Sequence, residues 1–225
     1  MKKSDFELIE KYLLDCMKDS AHDNVHIYWV LYIALDIAEF ETDVNYDVLI
    51  TACLLHDIGR KEQLENPELN HAVVGAVKAR LFLLSQGYSV TFVDHVEKCI
   101  KAHRFRSSYP PCSIEEKILF DADKVDVTGV IGIARTLLYQ GEIGTPLYQI
   151  DDNGIIIFKN NANSDLFIHE YKYKLENPYN NFHTKRGKEI ALQRQPSAVE
   201  FYNSMLIEVE PIYVSGKEKL PLSYM

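Results

Sequence analysis

Apolar residues recur at helical spacing along most of the chain. Phe6, Ile9, Leu13 and Met17 fall on one stripe, with Leu14 beside them and Ser4 placed to cap. Over residues 24–40, Val25, Trp29, Tyr32, Ile33 and Ile37 cover much of a helix's circumference, which predicts a central element. Leu49 and Cys53, like Ile50 and Leu54, repeat at four-residue spacing, so 46–56 reads as a buried helix with Asn45 as its cap. After a polar loop at 65–68, Val73, Val77, Leu81 and Leu84 mark a helix over 70–86 that Gly87 ends. Val93, Val96 and Ile100 mark another over 90–103. A loop follows at 107–111, and then a helix over 113–128 carries Ile114, Ile118, Leu119 and Val125. Ser113 and Glu116 have the spacing of a capping box at its start. A short apolar helix runs from Val130 to Tyr139.

The periodicity breaks over 141–161. Gly141, Gly144 and Pro146 precede Asp151-Asp152-Asn153-Gly154, and Ile155 to Phe158 follow, which predicts a turn between two short extended pieces. Helix returns over 164–175 and 184–208, and a frayed tail is expected from Lys217. The pattern predicts an all-α protein with a short loop or hairpin insertion near 141–161. One domain is expected over 1–225, its core at about 4–140 and its C-terminal helices, 164–210, laid upon it.

Composition narrows the class. The 225 residues, 47% hydrophobic and 25% charged, suit a single globular domain with a sizeable core. A net charge of −9 argues against duplex nucleic acid or an anionic membrane as partner. A small anionic substrate stays open, because a metal and a few bases can invert the local field. The N-terminus meets charge again before any apolar stretch develops, so no signal peptide is expected, and no apolar run is long enough for a membrane span. Cys16, Cys53, Cys99 and Cys112 are widely spaced, which reads as reduced thiols in a cytoplasmic protein.

The chemistry gathers at the end of the buried helix, where Leu54-Leu55 runs into His56-Asp57-Ile58-Gly59-Arg60. A buried imidazole and carboxylate without partners cost several kcal/mol, or the group gives up its charge. A divalent cation removes that cost, since neutral imidazole and carboxylate are both good ligands. Gly59 suits the sharp exit of a helix C-terminus. His26, four residues after His22 and so on its face if the helix is continuous, can turn toward the same centre. Asp121, Asp123 and Asp126 stand within six residues of an otherwise apolar helix, with Asp123 and Asp126 on one face. Like charges among Ile118, Leu119, Val125 and Val130 repel, which again suits a cation. Taken singly, each piece also fits an ordinary role: a capped helix end, a hydrogen-bonded histidine, a solvated acidic face.

The phrases HDNVH, LLHDIGR, NHAVVGA and FDADKVDVTGVIGIAR resemble the HD-domain metal-dependent phosphohydrolase superfamily, in particular its stand-alone bacterial YpgQ/YedJ-like branch. The likeness spans about residues 4–139, with weaker agreement in TKRGKEIALQR. It implies an HD-type helical bundle in which His26, His56, Asp57 and Asp123 hold one divalent metal: Mn, Mg, Fe, Ni or Co. Asp123 is chosen over Asp121 because the superfamily's ligand follows an Ala. The implied activity is hydrolysis of a small phosphorylated substrate, expected to be a nucleotide, by a nucleoside triphosphate pyrophosphohydrolase or nucleotidase.

Other residues receive roles around that centre. A metal lowers the pKa of bound water and polarises a phosphoryl oxygen. Asp126 or Glu62 would take the water's proton, with Asp126 alternatively standing behind a ligand, and His22 or Asp23 would orient the site. Arg60, Lys61, Arg104 and Lys124, together with His71 and His103, are assigned to substrate phosphate. In binuclear branches of the superfamily, histidines in the intervals of His71 and His103 bind a second metal, so a di-iron oxygenase is the second reading. The third is a non-catalytic module that senses a nucleotide. A homodimer is the expected assembly if there is one.

Overall fold

The fold begins with helix ends that the sequence specifies locally. The computed structural model describes residues 1–17, 24–104, 109–157, 166–168, 179 and 181–220. Among them the helices are α1 (Lys3–Met17), α2 (Asn24–Ala38), α3 (Tyr46–Leu55), α4 (Arg60–Glu65), α5 (His71–Ser85), α6 (Val90–Ala102), α7 (Ile114–Asp126), α8 (Gly129–Glu142) and α9 (Lys185–Lys219). The protein is all-α, as expected. The expected helix over 164–175 lies largely outside the described residues.

Caps set the starts. The Asn45 side chain accepts from Val48 N at α3, Asn70 from Ala72 N at α5, and Ser89 from Phe92 N at α6. At α7, Ser113 Oγ accepts from Glu116 N, as the capping box requires, but Glu116 Oε2 reaches back one residue further, to Cys112 N at 2.7 Å. The element missing from the sequence reading is α4, whose six residues are too few to show a period.

Contacts divide the chain into two compact units. The first comprises Met1–Asp126 and Phe182–Lys188. Its centre is α3, which packs against α1, α2, α5, α6 and α7, and Val48, Leu49, Ala52, Cys53, Leu54 and Leu55 are buried. A helix apolar on all sides has to sit inside others, which is why the run before His56 carries no polar face. Residues 182–188 are pinned to this unit through Asp121. That fully buried carboxylate accepts from His183 N, Thr184 N and Thr184 Oγ1, while Arg186 pairs with Asp36.

The second unit comprises Val127–Asn181 and Glu189–Met225. Ile133, Phe167 and Ala198 form one small core, and Ile156, Leu166 and Ile168 another. The expected hairpin is a turn over Asp151–Gly154 closed by an isolated bridge between Ile150 and Ile156, in which Asp151 Oδ1 accepts from Asn153 N and Ile155 N. Lys217 Nζ donates to the Asp151 and Asp152 carbonyls, so the tail expected to fray is helical through Lys219. Pro196 and Pro211 lie inside that helix. Residues 158–161, the end of the expected insertion, lie outside the described residues.

Candidate metal centre

Two histidines are placed by the same device. His56 and His103 each follow the last residue of a helix, in αR conformation, and both are buried. Each donates Nδ1–H to the carbonyl three residues back: His56 to Cys53 O at 2.7 Å, His103 to Ile100 O at 2.6 Å. The bond satisfies an orphan carbonyl of the helix terminus and fixes the tautomer. His26, in the first turn of α2, lies 3.1 Å through Nδ1 from Asp126 Oδ2, and His71, at the start of α5, lies 2.7 Å through Nδ1 from Gln63 Oε1. All four imidazoles therefore have Nδ1 engaged with an oxygen acceptor, which turns Nε2 toward the centre as the atom that can offer a lone pair, at His26 once its second proton is displaced.

Those lone pairs converge. His26 Nε2 lies 3.4 Å from His56 Nε2, 3.6 Å from Asp57 Oδ2 and 3.4 Å from Asp123 Oδ1. His56 Nε2 lies 3.7 Å from Asp57 Oδ2 and 3.9 Å from Asp123 Oδ1. Acceptors facing acceptors repel unless a positive charge stands between them. Two ligands about 2.1 Å from one ion lie about 3.0 Å apart at right angles and about 3.4 Å apart at a tetrahedral angle. The observed spacings run from 3.4 to 3.9 Å, from the tetrahedral value to somewhat above it, so the donor set fits a divalent cation that draws its ligands slightly together.

A second group adjoins the first. Asp57 Oδ1 lies 3.5 Å from His71 Nε2 and 3.6 Å from His103 Nε2, and the two nitrogens are 3.3 Å apart. Asp57 thus offers one oxygen to each group, and its Oδ1 also accepts from Arg60 Nε at 3.0 Å.

The electrostatics report the same demand for positive charge. Burial lowers His26, but Asp123 and Asp126 outweigh it and push its pKa up to about 10. Burial alone would raise Asp57 and Asp123; Arg60 and neighbouring imidazoles hold Asp57 well below the carboxylate range, and His26, His103 and His56 do so for Asp123. His56, fully buried, is lowered to about 4 by desolvation. His56 stays neutral and the carboxylates stay charged, which are the ligand forms a metal needs, while His26 holds a proton that a metal would displace.

The turn that carries Asp57 is shaped by a close approach. A Cβ on Gly59 would fall on the His71 carbonyl oxygen and 2.6 Å from Gly75 N. Gly59 has φ −97°, so its lack of a side chain makes room for α5 rather than permitting a left-handed exit, which corrects the sequence reading. Lys78 Nζ then donates to Ile58 O at 2.8 Å and pairs with Glu62 Oε1 at 2.6 Å.

The remaining sequence-chosen residues scatter. Glu62 is bound to Lys78, and its charge is felt by Tyr12 and Cys16 of α1. Asp126 stands behind His26, on the Nδ1 side, where it orients the ring; a position behind the ring is not one from which it meets a proton at the Nε2 face. His22 and Asp23 lie outside the described residues. Lys61 and Arg104 are half-buried. Lys124 is buried, with Nζ 3.8 Å from the Phe120 ring centre, and desolvation pushes its pKa down to about 7. Asp121 is turned toward His183 and Thr184, away from the centre. Gln63 was missed, because a single amide on a short helix leaves no sequence signal.

Helices that bring His, His-Asp and Asp to one point define an HD-type domain. Residues 25–128, which contain all four of these side chains, match the HD domain family. Among particular proteins, the chain is similar to YpgQ of Bacillus subtilis (strain 168), 31% identical over 135 residues, 58% of this chain and 63% of YpgQ. The match therefore spans less than two thirds of that relative. A crystal structure of YpgQ in complex with ADP superposes with a TM-score of 0.68 at 24% identity, covering 91% of this chain and 97% of that one, a likeness of fold. An HD superfamily hydrolase from an uncultured Thermotogales bacterium is 28% identical (92% of each chain, TM-score 0.59). An HD-superfamily hydrolase from Bacillus thuringiensis is 26% identical, covering 92% of this chain and 98% of that one, with a TM-score of 0.68. These likenesses support a hydrolase. Among the described residues no helix is long and apolar enough to cross a membrane.

Proposed function

We propose that the protein is a metal-dependent phosphohydrolase acting on a small phosphorylated substrate, a nucleotide, as a nucleoside triphosphate pyrophosphohydrolase or nucleotidase. The observation that carries this reading is the convergence of His26 Nε2, His56 Nε2, Asp57 Oδ2 and Asp123 Oδ1 on one ion-sized space. The ADP bound by YpgQ supports the nucleotide class.

The four converging side chains would hold one divalent ion: Mn, Mg, Fe, Ni or Co. Such an ion supplies a polarised phosphoryl oxygen and a water acidic enough to react near neutral pH. Asp126 holds the His26 ring in place. Arg60, anchored on Asp57, carries a planar fork suited to phosphate, and Lys61, Arg104 and Lys124 are the further bases assigned to substrate charge. His71 and His103 face the same space as acceptors, which suits them to the water's hydrogens rather than to the phosphate oxygens first assigned to them.

The test is metal analysis of the purified protein followed by a nucleotide panel read as released phosphate or pyrophosphate. The expected result is one metal per chain and hydrolysis that chelator abolishes. His56→Ala and Asp57→Ala should each lose metal and turnover together, and full activity in either would end the reading. The second group, Asp57 with His71 and His103, favours an alternative: a di-iron oxygenase. Two metals per chain, a ferric spectrum and no phosphate released from any compound tested would select it.

A further inference from the structure

His71 is restrained at both ends, by two different elements. Its backbone is fixed where α5 crosses the Asp57–Gly59 turn, with no room for a Cβ on Gly59 between them. Its ring is fixed by Gln63 of α4, whose Oε1 lies 2.7 Å from Nδ1. The orientation of that amide is itself determined. Gln63 Nε2 donates to the Leu69 carbonyl at 3.0 Å, and reversing the amide would set oxygen against oxygen there and N–H groups against the ring. An amide oxygen only accepts, so Nδ1 of His71 carries the hydrogen and Nε2 carries the lone pair.

The consequence reaches the centre. His71 Nε2 lies 3.3 Å from His103 Nε2 and 3.5 Å from Asp57 Oδ1, and His103 is locked in the same form by Ile100 O. Three acceptor atoms therefore share one edge. Freed of Gln63, the His71 ring would gain by turning an Nε2–H toward Asp57, which would convert that edge from acceptor to donor.

We propose that Gln63 is a positioning residue that keeps His71 in the Nδ1–H form and so keeps the His71–His103 edge an acceptor. The place of that edge in catalysis rests on the phosphohydrolase reading above; the tautomer does not. An edge of this kind takes the hydrogens of water or a cation, and it does not donate to a phosphate oxygen. Substrate charge then falls to the arginines and lysines, and the edge orients the attacking water.

The test is the ring tautomer of His71 in the full-length protein, read from long-range proton–nitrogen correlations with and without Zn²⁺. The signals are assigned by their loss in His71→Gln. Wild type should show the Nδ1–H pattern. Gln63→Leu should shift it toward Nε2–H, and Gln63→Glu, which keeps an oxygen at that place, should restore it. Gln63→Ala serves if Gln63→Leu does not fold. Both variants should unfold within a few degrees of wild type. In hydrolysis, Gln63→Leu should lower kcat about tenfold or more with KM within about twofold. An Nε2–H pattern in wild type, or an unchanged Nδ1–H pattern in Gln63→Leu, overturns the proposal. Absence of nucleotide hydrolysis in every protein tested would instead remove the phosphohydrolase reading and leave the tautomer result intact.

Discussion

His26 sits among Asp57, Asp123 and Asp126, and its imidazole is pulled up to about 10 despite its burial. Its folded value lies above the unfolded 6.5, so in metal-free protein its contribution is fully present below about pH 6.5 and is lost as pH rises toward 10. The melting temperature in chelator should therefore fall across that window. A metal has to displace the same proton, so its affinity should rise by up to about tenfold per pH unit below 10. Thermal melts in chelator and metal titrations over pH 6–9 check the two signs; a flat or rising chelator melt would contradict this assignment. Asp126→Ala should weaken metal binding by about 10–100-fold without unfolding the domain, since the carboxylate touches the ligand and not the ion. Equilibrium dialysis measures it. At this scale the need of His56 and Asp57 for a partner was legible from the end of a buried helix, whereas the choice of His26 and Asp123 to complete the set came from the family resemblance. The supporting side chains were legible from neither. Gln63 and the direction of Lys124 depend on which neighbours arrive from distant sequence, and no local pattern encodes that.

Helix crossings place those residues. The α3–α4 turn meets α5 backbone to backbone at Gly59 and Gly75. Gly59→Ala would put a methyl group against immovable atoms and should destabilise by about 1–3 kcal/mol or more. Gly75→Ala meets its nearest atoms at 3.3 and 3.4 Å and should cost less. Denaturant melts of the two variants, compared with Asn45→Ala (a lost cap worth about 1 kcal/mol), test that order. Most helices were readable from apolar spacing and caps. The exceptions are physical: α4 is shorter than two periods, and α9 continues past the expected end because Lys217 reaches the Asp151 and Asp152 carbonyls. Gly59 was correctly singled out, but its reason lies in a partner helix twelve or more residues away.

For the whole molecule, an acidic chain of net charge −9 gathers part of its negative charge around one ion-sized space and spends another buried acid on architecture. Asp121, chosen against as a ligand, closes residues 182–188 onto the first unit through three donors from His183 and Thr184. Asp121→Ala should cost about 1–3 kcal/mol for each buried donor left unpaired, while leaving the metal affinity of the surviving fold unchanged. Chemical denaturation and metal titration on one sample separate the two effects. The most direct measurement of the central claim is anomalous scattering from crystals grown with Mn²⁺. The expected result is one peak within about 2.0–2.4 Å of His26 Nε2, His56 Nε2, an Asp57 oxygen and an Asp123 oxygen. A peak elsewhere, or an ion held without Asp123, would contradict the account.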